Sequence, residues 1–112
     1  MTHVLDTPEE AWMRCLAVLG EPQRLRILKA LAEGEQTAGA LSERLGVRQN
    51  TLSHHMRQLR EHGLVEVRRH PHDERFTFYR LNGRRLRALS AVLTDWAARA
   101  EAESKTSGRR PS

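Results

Sequence analysis

The stretch LGVRQNTLSHHMRQLREHGLV, residues 45–65, places His54, His55 and His62 in one polar segment of helical character. Imidazole is a common transition-metal ligand. It also exchanges hydrogen bonds with base edges and phosphates, so two chemistries compete for these residues. Spacing separates them. Adjacent residues on a helix point about 100° apart, so His54 and His55 do not share an ion. His55 and His62 are seven residues apart, about 10 Å along the axis. Two helical ligands of one ion sit at i, i+3 or i+4, and no histidine pair in the segment does. His54 reads as an outward polar contact. His55, at the edge of the inward stripe, reads as a structural hydrogen-bonding residue.

The other candidate chemistry is thinner. His70, His72 and Asp73 cluster in HPHD and make a weak site for a nickel or zinc ion, either exposed or completed by another chain. The lone Cys15 excludes an intramolecular disulfide and a cysteine-based metal cluster. It lies on an apolar stripe and reads as a small buried hydrophobe. A redox cross-link between two first helices is the alternative. No Ser/His/Asp arrangement, phosphate-cradling glycine loop or carboxylate pair appears, so the chain does not read as an enzyme.

The elements that position these residues are punctuated clearly. TPEE at 7–10 is a capping box, with Pro8 in the first turn. Trp12, Cys15, Leu16 and Leu19 follow at helical spacing up to Gly20. A second helix starts at Pro22, carries Leu25, Ile27, Leu28 and Leu31, and stops at Gly34. A third runs from about Thr37 to Leu45, closed by Gly46, and a fourth from about Arg48 to His62, closed by Gly63. The period then changes to two: LVEVRR (64–69) and RFTFYRL (75–81) alternate as strands around the turn-rich HPHDE. Residues 82–103 return to helical spacing, with Leu86, Leu89, Val92, Leu93, Trp96, Ala97 and Ala100 on one stripe. The expected architecture is mainly α with a small β-hairpin, in the order α-α-α-α-β-β-α. Residues 7–103 form one domain, between a flexible N-terminus (1–6) and a disordered tail (104–112).

The third and fourth helices meet at a very short turn, as in a helix-turn-helix. Gly46 supplies the turn, and the small Ser42 lets the helices approach. Leu45, Val47, Leu52, Met56 and Leu59 face inward. The outer face of the fourth helix displays Arg48, Gln49, Asn50, Thr51, Ser53, His54 and Arg57. Gln and Asn suit bidentate contact with adenine, and Arg with guanine. The arginine-rich hairpin that follows, with Arg68, Arg69 and Arg75 near its tip, suits a wing on backbone phosphates.

Charge agrees with this reading. The chain's net charge of +5 is gathered in the middle: −3 over residues 1–43, +7 over 44–87 and +1 over 88–112. Such a block is the footprint of a nucleic-acid surface, although a solvated face would also carry it. No stretch approaches the roughly 18 apolar residues of a membrane span. The chain reads as cytoplasmic. Trp12, Leu16, Leu89, Val92, Leu93 and Trp96 offer more apolar surface than 112 residues easily cover, and a homodimer would bury it.

The runs LGEPQRLRILKALAEGE, ALSERLGVRQNTLSHHMRQLREHGLVEVRR and FYRL together resemble the ArsR/SmtB family of bacterial winged helix-turn-helix regulators, over roughly residues 10 to 100. The motifs that carry the resemblance are Pro22, Arg24, Ile27 and Leu28; then Gln49, Thr51, Ser53 and His55; then Leu59, Gly63, Leu64 and Val65. It implies a homodimer paired through first and last helices, binding a near-palindromic double-stranded DNA operator. Many members respond to metal ions. Here Thr37 and Gly39 stand where cysteine-type sensors carry Cys-x-Cys, and residues 82–103 hold no histidine for the familiar last-helix site. Arg48 replaces a usual Ser/Thr cap, and the wing is longer than common, so the bases read are not inherited with the fold. The expectation is a DNA-binding regulator without a cofactor. The alternatives are a nickel or zinc sensor with a non-standard site, or a regulator acting through a protein partner.

Overall fold

The computed structural model describes residues 7–72 and 77–107. Five helices and a small sheet follow in the order α1 (Pro8–Val18), α2 (Pro22–Leu31), β1 (Gln36–Thr37), α3 (Ala38–Leu45), α4 (Gln49–Glu61), β2 (Val65–Arg69), β3 (Thr77–Leu81) and α5 (Gly83–Ser107). The helix starts are where the capping chemistry puts them. Thr7 Oγ1 accepts the Glu10 amide and Glu10 Oε2 accepts the Thr7 amide, each at 3.1 Å, completing the capping box. Glu21 caps α2 through the Gln23 amide at 2.9 Å, with Pro22 beginning the first turn.

The core lies where α2, α3, α4 and the sheet converge, and Ile27, Leu41, Leu52, Met56, Leu59 and Leu64 are fully buried there. Cys15 is also fully enclosed, which fits the small-hydrophobe reading and removes the thiol from contact with a second chain. Burial raises its pKa, because a thiolate loses hydration in apolar surroundings; nearby Arg85 opposes this less strongly.

Three sequence expectations are corrected. The hairpin is part of a three-stranded antiparallel sheet ordered β1-β3-β2, because Gln36 and Thr37 pair with Tyr79 and Phe78. A two-residue strand is too short to show alternation. Second, α5 continues to Ser107, past the boundary expected at 103. Residues 101–105, EAESK, lack large apolar side chains to pack, but Ala, Glu and Lys sustain a helix through backbone propensity. Third, Leu89 is buried against this chain's own core, so it is not part of an open face. Leu25, on the apolar pattern of α2, is 49% exposed. The expected termini at 1–6 and 108–112, and Asp73 and Arg75 of the wing, lie outside the described residues.

The molecule is elongated. Its radius of gyration is 17.9 Å. A compact chain of this length would have about 13 Å. The difference comes from α5, which has 25 residues. That length spans about 37 Å at the helical rise, and its residues 97–105 are exposed.

Candidate nucleic-acid interface

The turn between α3 and α4 is built from Ser42, Gly46 and Val47. Gly46 adopts φ 65°, ψ 34°. This is the left-handed conformation that a residue without Cβ reaches at least cost. The Val47 amide donates to the Ser42 carbonyl at 3.1 Å, and the Ser42 hydroxyl donates to the Val47 carbonyl. Ser42 therefore ties both ends of the turn, which is more than the small size expected of it. Val47, Leu52, Met56 and Leu59 are buried as expected, while Leu45 is half-buried.

Burying that stripe leaves the opposite face of α4 to solvent. Arg48, Gln49, Asn50, Thr51, Ser53, His54 and Arg57 are all exposed. Arg48 occupies the N-cap without a side-chain hydrogen bond, and the first turn has no acid to repel an anion. This end of the helix offers backbone amides together with a ring of long polar side chains, the combination that meets phosphates and base edges.

His55 points the other way. It is 7% exposed and joins α4 to the start of α2. Its Nδ1 lies 3.4 Å from an Arg24 guanidinium nitrogen and its Nε2 3.4 Å from Glu21 Oε2. The arrangement suits the neutral ring with the proton on Nε2, Arg24 donating to Nδ1. Burial, which disfavours the charged ring, is the main cause that lowers the His55 pKa; Glu21 opposes it, while Arg24 and His54 add to it. His62, at the C-cap of α4, is lowered chiefly by burial too, with Glu61 opposing and Arg14, Arg85 and Arg24 reinforcing. Both rings are thus kept neutral to lower pH than in the unfolded chain, whose histidines titrate near about 6.5. The unfolded state takes up protons first, so stability should be complete above about pH 6.5 and fall as pH drops through the lowered folded values. Urea denaturation from pH 8 to pH 5 should show this loss, and His55→Gln should shrink it. An equal loss in the variant would assign the acid sensitivity elsewhere.

The C-terminal end of α4 is held by residues the sequence did not single out. Arg85 Nε donates to the His62 carbonyl at 3.0 Å, and its guanidinium lies 4.4 Å from the Trp12 ring centroid, within cation–π reach. Asn82 Nδ2 donates to the Gly63 carbonyl at 2.9 Å, while its Oδ1 accepts the Arg85 amide at 3.3 Å, starting α5. One arginine thus joins α1, α4 and α5, and part of the Trp12 face is covered by it.

The wing divides its arginines. Arg68 is engaged by Glu35 through Nε at 3.1 Å and Nη2 at 2.6 Å, and lies 4.7 Å from the Phe78 centroid. Arg80 pairs with Glu66, its cross-strand partner, at 3.0 Å, as opposite charges on facing positions do. Arg69 is exposed and has no side-chain partner among the described residues. The charge excess of the middle third is therefore partly neutralised within the chain, and among the described residues its exposed, unpaired arginines are Arg48, Arg57 and Arg60 along α4, Arg69 on the wing, and Arg84 and Arg87 at the start of α5.

The donors present do not fit the metal sites that the fold family suggests. Thr37 serves as the N-cap of α3, its Oγ1 accepting the Ala40 amide at 3.1 Å, and α5 contains no histidine. The His70 and His72 rings meet edge-on with centroids 6.2 Å apart, and the His72 amide donates to His70 Nδ1. Among the described residues no group of three His, Cys, Asp or Glu side chains is placed to hold an ion.

Residues 19–68, from just after α1 into β2, match the family described as a helix-turn-helix domain. The solution structure of a homodimeric winged helix-turn-helix DNA-binding domain from Mycobacterium bovis, "a possible ArsR-family transcriptional regulator", is similar with a TM-score of 0.64 and 25% identity. The likeness covers 92% of this chain and 88% of that one. The transcriptional activator HlyU of Vibrio cholerae is 35% identical over 78 residues, 70% of this chain and 69% of its own length. Its solved structure superposes with a TM-score of 0.65 at 30% identity, covering 81% of this chain and 96% of HlyU. The chain belongs to the ArsR family of winged helix-turn-helix regulators. A further relative is the biofilm growth-associated repressor of Xylella fastidiosa, 42% identical over 66 residues, 59% of this chain and 55% of the repressor. The chain thus spans about half the length of that relative. No helix among the described residues of this ArsR-family chain is long and apolar enough to cross a membrane.

Proposed function

We propose that this ArsR-family chain is a transcriptional regulator that binds a near-palindromic duplex operator as a homodimer. In this reading α4 lies in the major groove and the wing tip meets the phosphate backbone. The observation that carries the proposal is the sidedness of α4. Leu52, His55, Met56 and Leu59 are buried, while Arg48, Gln49, Asn50, Thr51, Ser53, His54 and Arg57 stand in solvent on the other face. Arg69 adds a phosphate contact on the wing, and Arg75 is assigned the same role on sequence grounds.

The homodimer is supported by the chain's similarity to the M. bovis domain and by an uncovered apolar face. Leu93 on α5 is 46% exposed, and Trp12, Leu16, Val92 and Trp96 are half-buried. The proposed activity is binding without catalysis, and its compartment is the cytoplasm.

The proposal includes no metal effector. Tight sensing needs several preorganised ligands, and a ligand with equal affinity for both states shifts nothing. Zinc, nickel and cobalt should bind weakly, with His70, His72 and Asp73 the main contacts. A DNA titration against fragments selected from genomic DNA should give affinities within about twofold in metal and in chelator. Absence of binding at physiological salt would overturn the regulator reading. A tenfold change on adding metal, about 1.4 kcal/mol, would instead assign this chain a metal-sensing role.

A further inference from the structure

We infer that Arg68 is a positioning residue and not a phosphate contact: its pairing with Glu35 fixes the wing against the helix-turn-helix, so that wing and α4 address one duplex together. The inference rests on the DNA-binding reading above. The Arg68 guanidinium grips Glu35 at 3.1 and 2.6 Å, in the two-pronged geometry that fixes direction as well as distance. Its opposite neighbour across the hairpin is Phe78, on which it also lies. Phe78 in turn stands opposite Thr37 of β1, and Thr37 is the N-cap of α3. One row across the sheet, Arg68–Phe78–Thr37, therefore ends on the cap of the helix that carries the turn into α4.

Glu35 closes this row from the other side. It directly precedes β1, in a connector that Gln36 ties to α2 by donating from Nε2 to the Ala30 carbonyl at 3.0 Å. The Arg68 hydrogen bond is the main cause that holds the Glu35 carboxyl below its usual range; desolvation opposes it, and the Arg68 and Arg80 charges add to it. The pair stays ionised under ordinary conditions. A cation whose charge is already met by a carboxylate displaces no counterion from DNA. Among the described residues, Arg69, one residue on, is the wing arginine without a carboxylate partner.

The two roles give opposite signs on removal of Glu35. In a phosphate-contact role, Glu35 masks Arg68, so E35Q strengthens binding and R68Q weakens it. In a positioning role both variants fail in the same direction, although one removes a negative charge and the other a positive one. The test uses the full chain and two duplexes of equal length: one enriched from genomic fragments by the wild-type protein, and one of random sequence. Salt titrations by fluorescence anisotropy compare wild type, E35Q, R68Q and the exchanged pair E35R/R68E. Amide hydrogen exchange of β2 and β3 is followed without DNA.

E35Q and R68Q should each lose about fivefold on the enriched duplex and little on the random one, with the salt slope unchanged. Exchange at β2 and β3 should accelerate in both single variants and return towards wild type in the exchanged pair. Tighter binding by E35Q, or a salt slope reduced by about 0.9 in R68Q, would overturn the inference. So would unchanged binding and exchange in both. Failure of the wild type to bind either duplex would reject the regulator reading instead, while exchange would still report whether the pair holds the wing.

Discussion

Leu93→Glu should leave the single chain folded, dissociate the dimer and lower operator affinity by at least about 100-fold. Leu93 is 46% exposed, so a carboxylate there meets water in the isolated chain and costs the core nothing. In a dimer paired through α1 and α5, the same carboxylate enters an apolar contact, where an unpaired charge is expensive. The loss on DNA is large because a dimer binds its second half-site at high effective concentration. Severing that linkage forfeits about 10²–10⁴ in affinity without touching any DNA contact. Trp96→Glu should behave alike. Leu89→Glu separates this from general damage: Leu89 is buried within the chain, so that variant should lose its fold. Light scattering and circular dichroism distinguish the cases, and an unchanged dimer in Leu93→Glu would place the interface elsewhere.

Gln49→Ala, Asn50→Ala and His54→Ala should each cost about 1–3 kcal/mol on the preferred site, and less on random DNA. All three are exposed on the first two turns of α4, so truncation leaves the buried stripe intact. Arg69→Ala should weaken both duplexes about equally and reduce the salt slope by about 0.9, the signature of one lost phosphate contact. Equal losses on both duplexes for the α4 set would mean that this face meets backbone and does not read sequence.

The sequence carried the α4 face, because a helix with one apolar stripe leaves only one assignment for its polar residues. It also carried the turn, since Gly46 and the flanking leucines leave few geometries. His55 was legible as structural from its place at the stripe's edge, but its partners Glu21 and Arg24, far back in the chain on the start of α2, were not. The same holds for Arg85, which gathers Trp12 and the His62 carbonyl from distant elements. Arg68 shows the limit most clearly. Charge composition counts an arginine as available, whereas its pairing depends on a connector brought beside the wing by the very short β1. Pairing of this kind is set by tertiary register and leaves no periodic trace. The extent of α5 was underestimated for a related reason. Apolar spacing reports what a helix buries, and residues 97–105 at its end are exposed.

Dimethyl sulfate footprinting tests the central claim most directly, because it methylates guanine N7, the acceptor that a helix in the major groove covers. On the enriched duplex, the wild-type protein should protect guanines in two clusters centred about one helical turn, roughly 10 base pairs, apart. Arg48→Ala and Arg57→Ala combined with Gln49→Ala, Asn50→Ala and His54→Ala should remove that protection at protein concentrations that still saturate the DNA. Protection confined to a single cluster, no protection of N7 at saturation, or the same two clusters in the combined variant would contradict a dimer that reads DNA through α4.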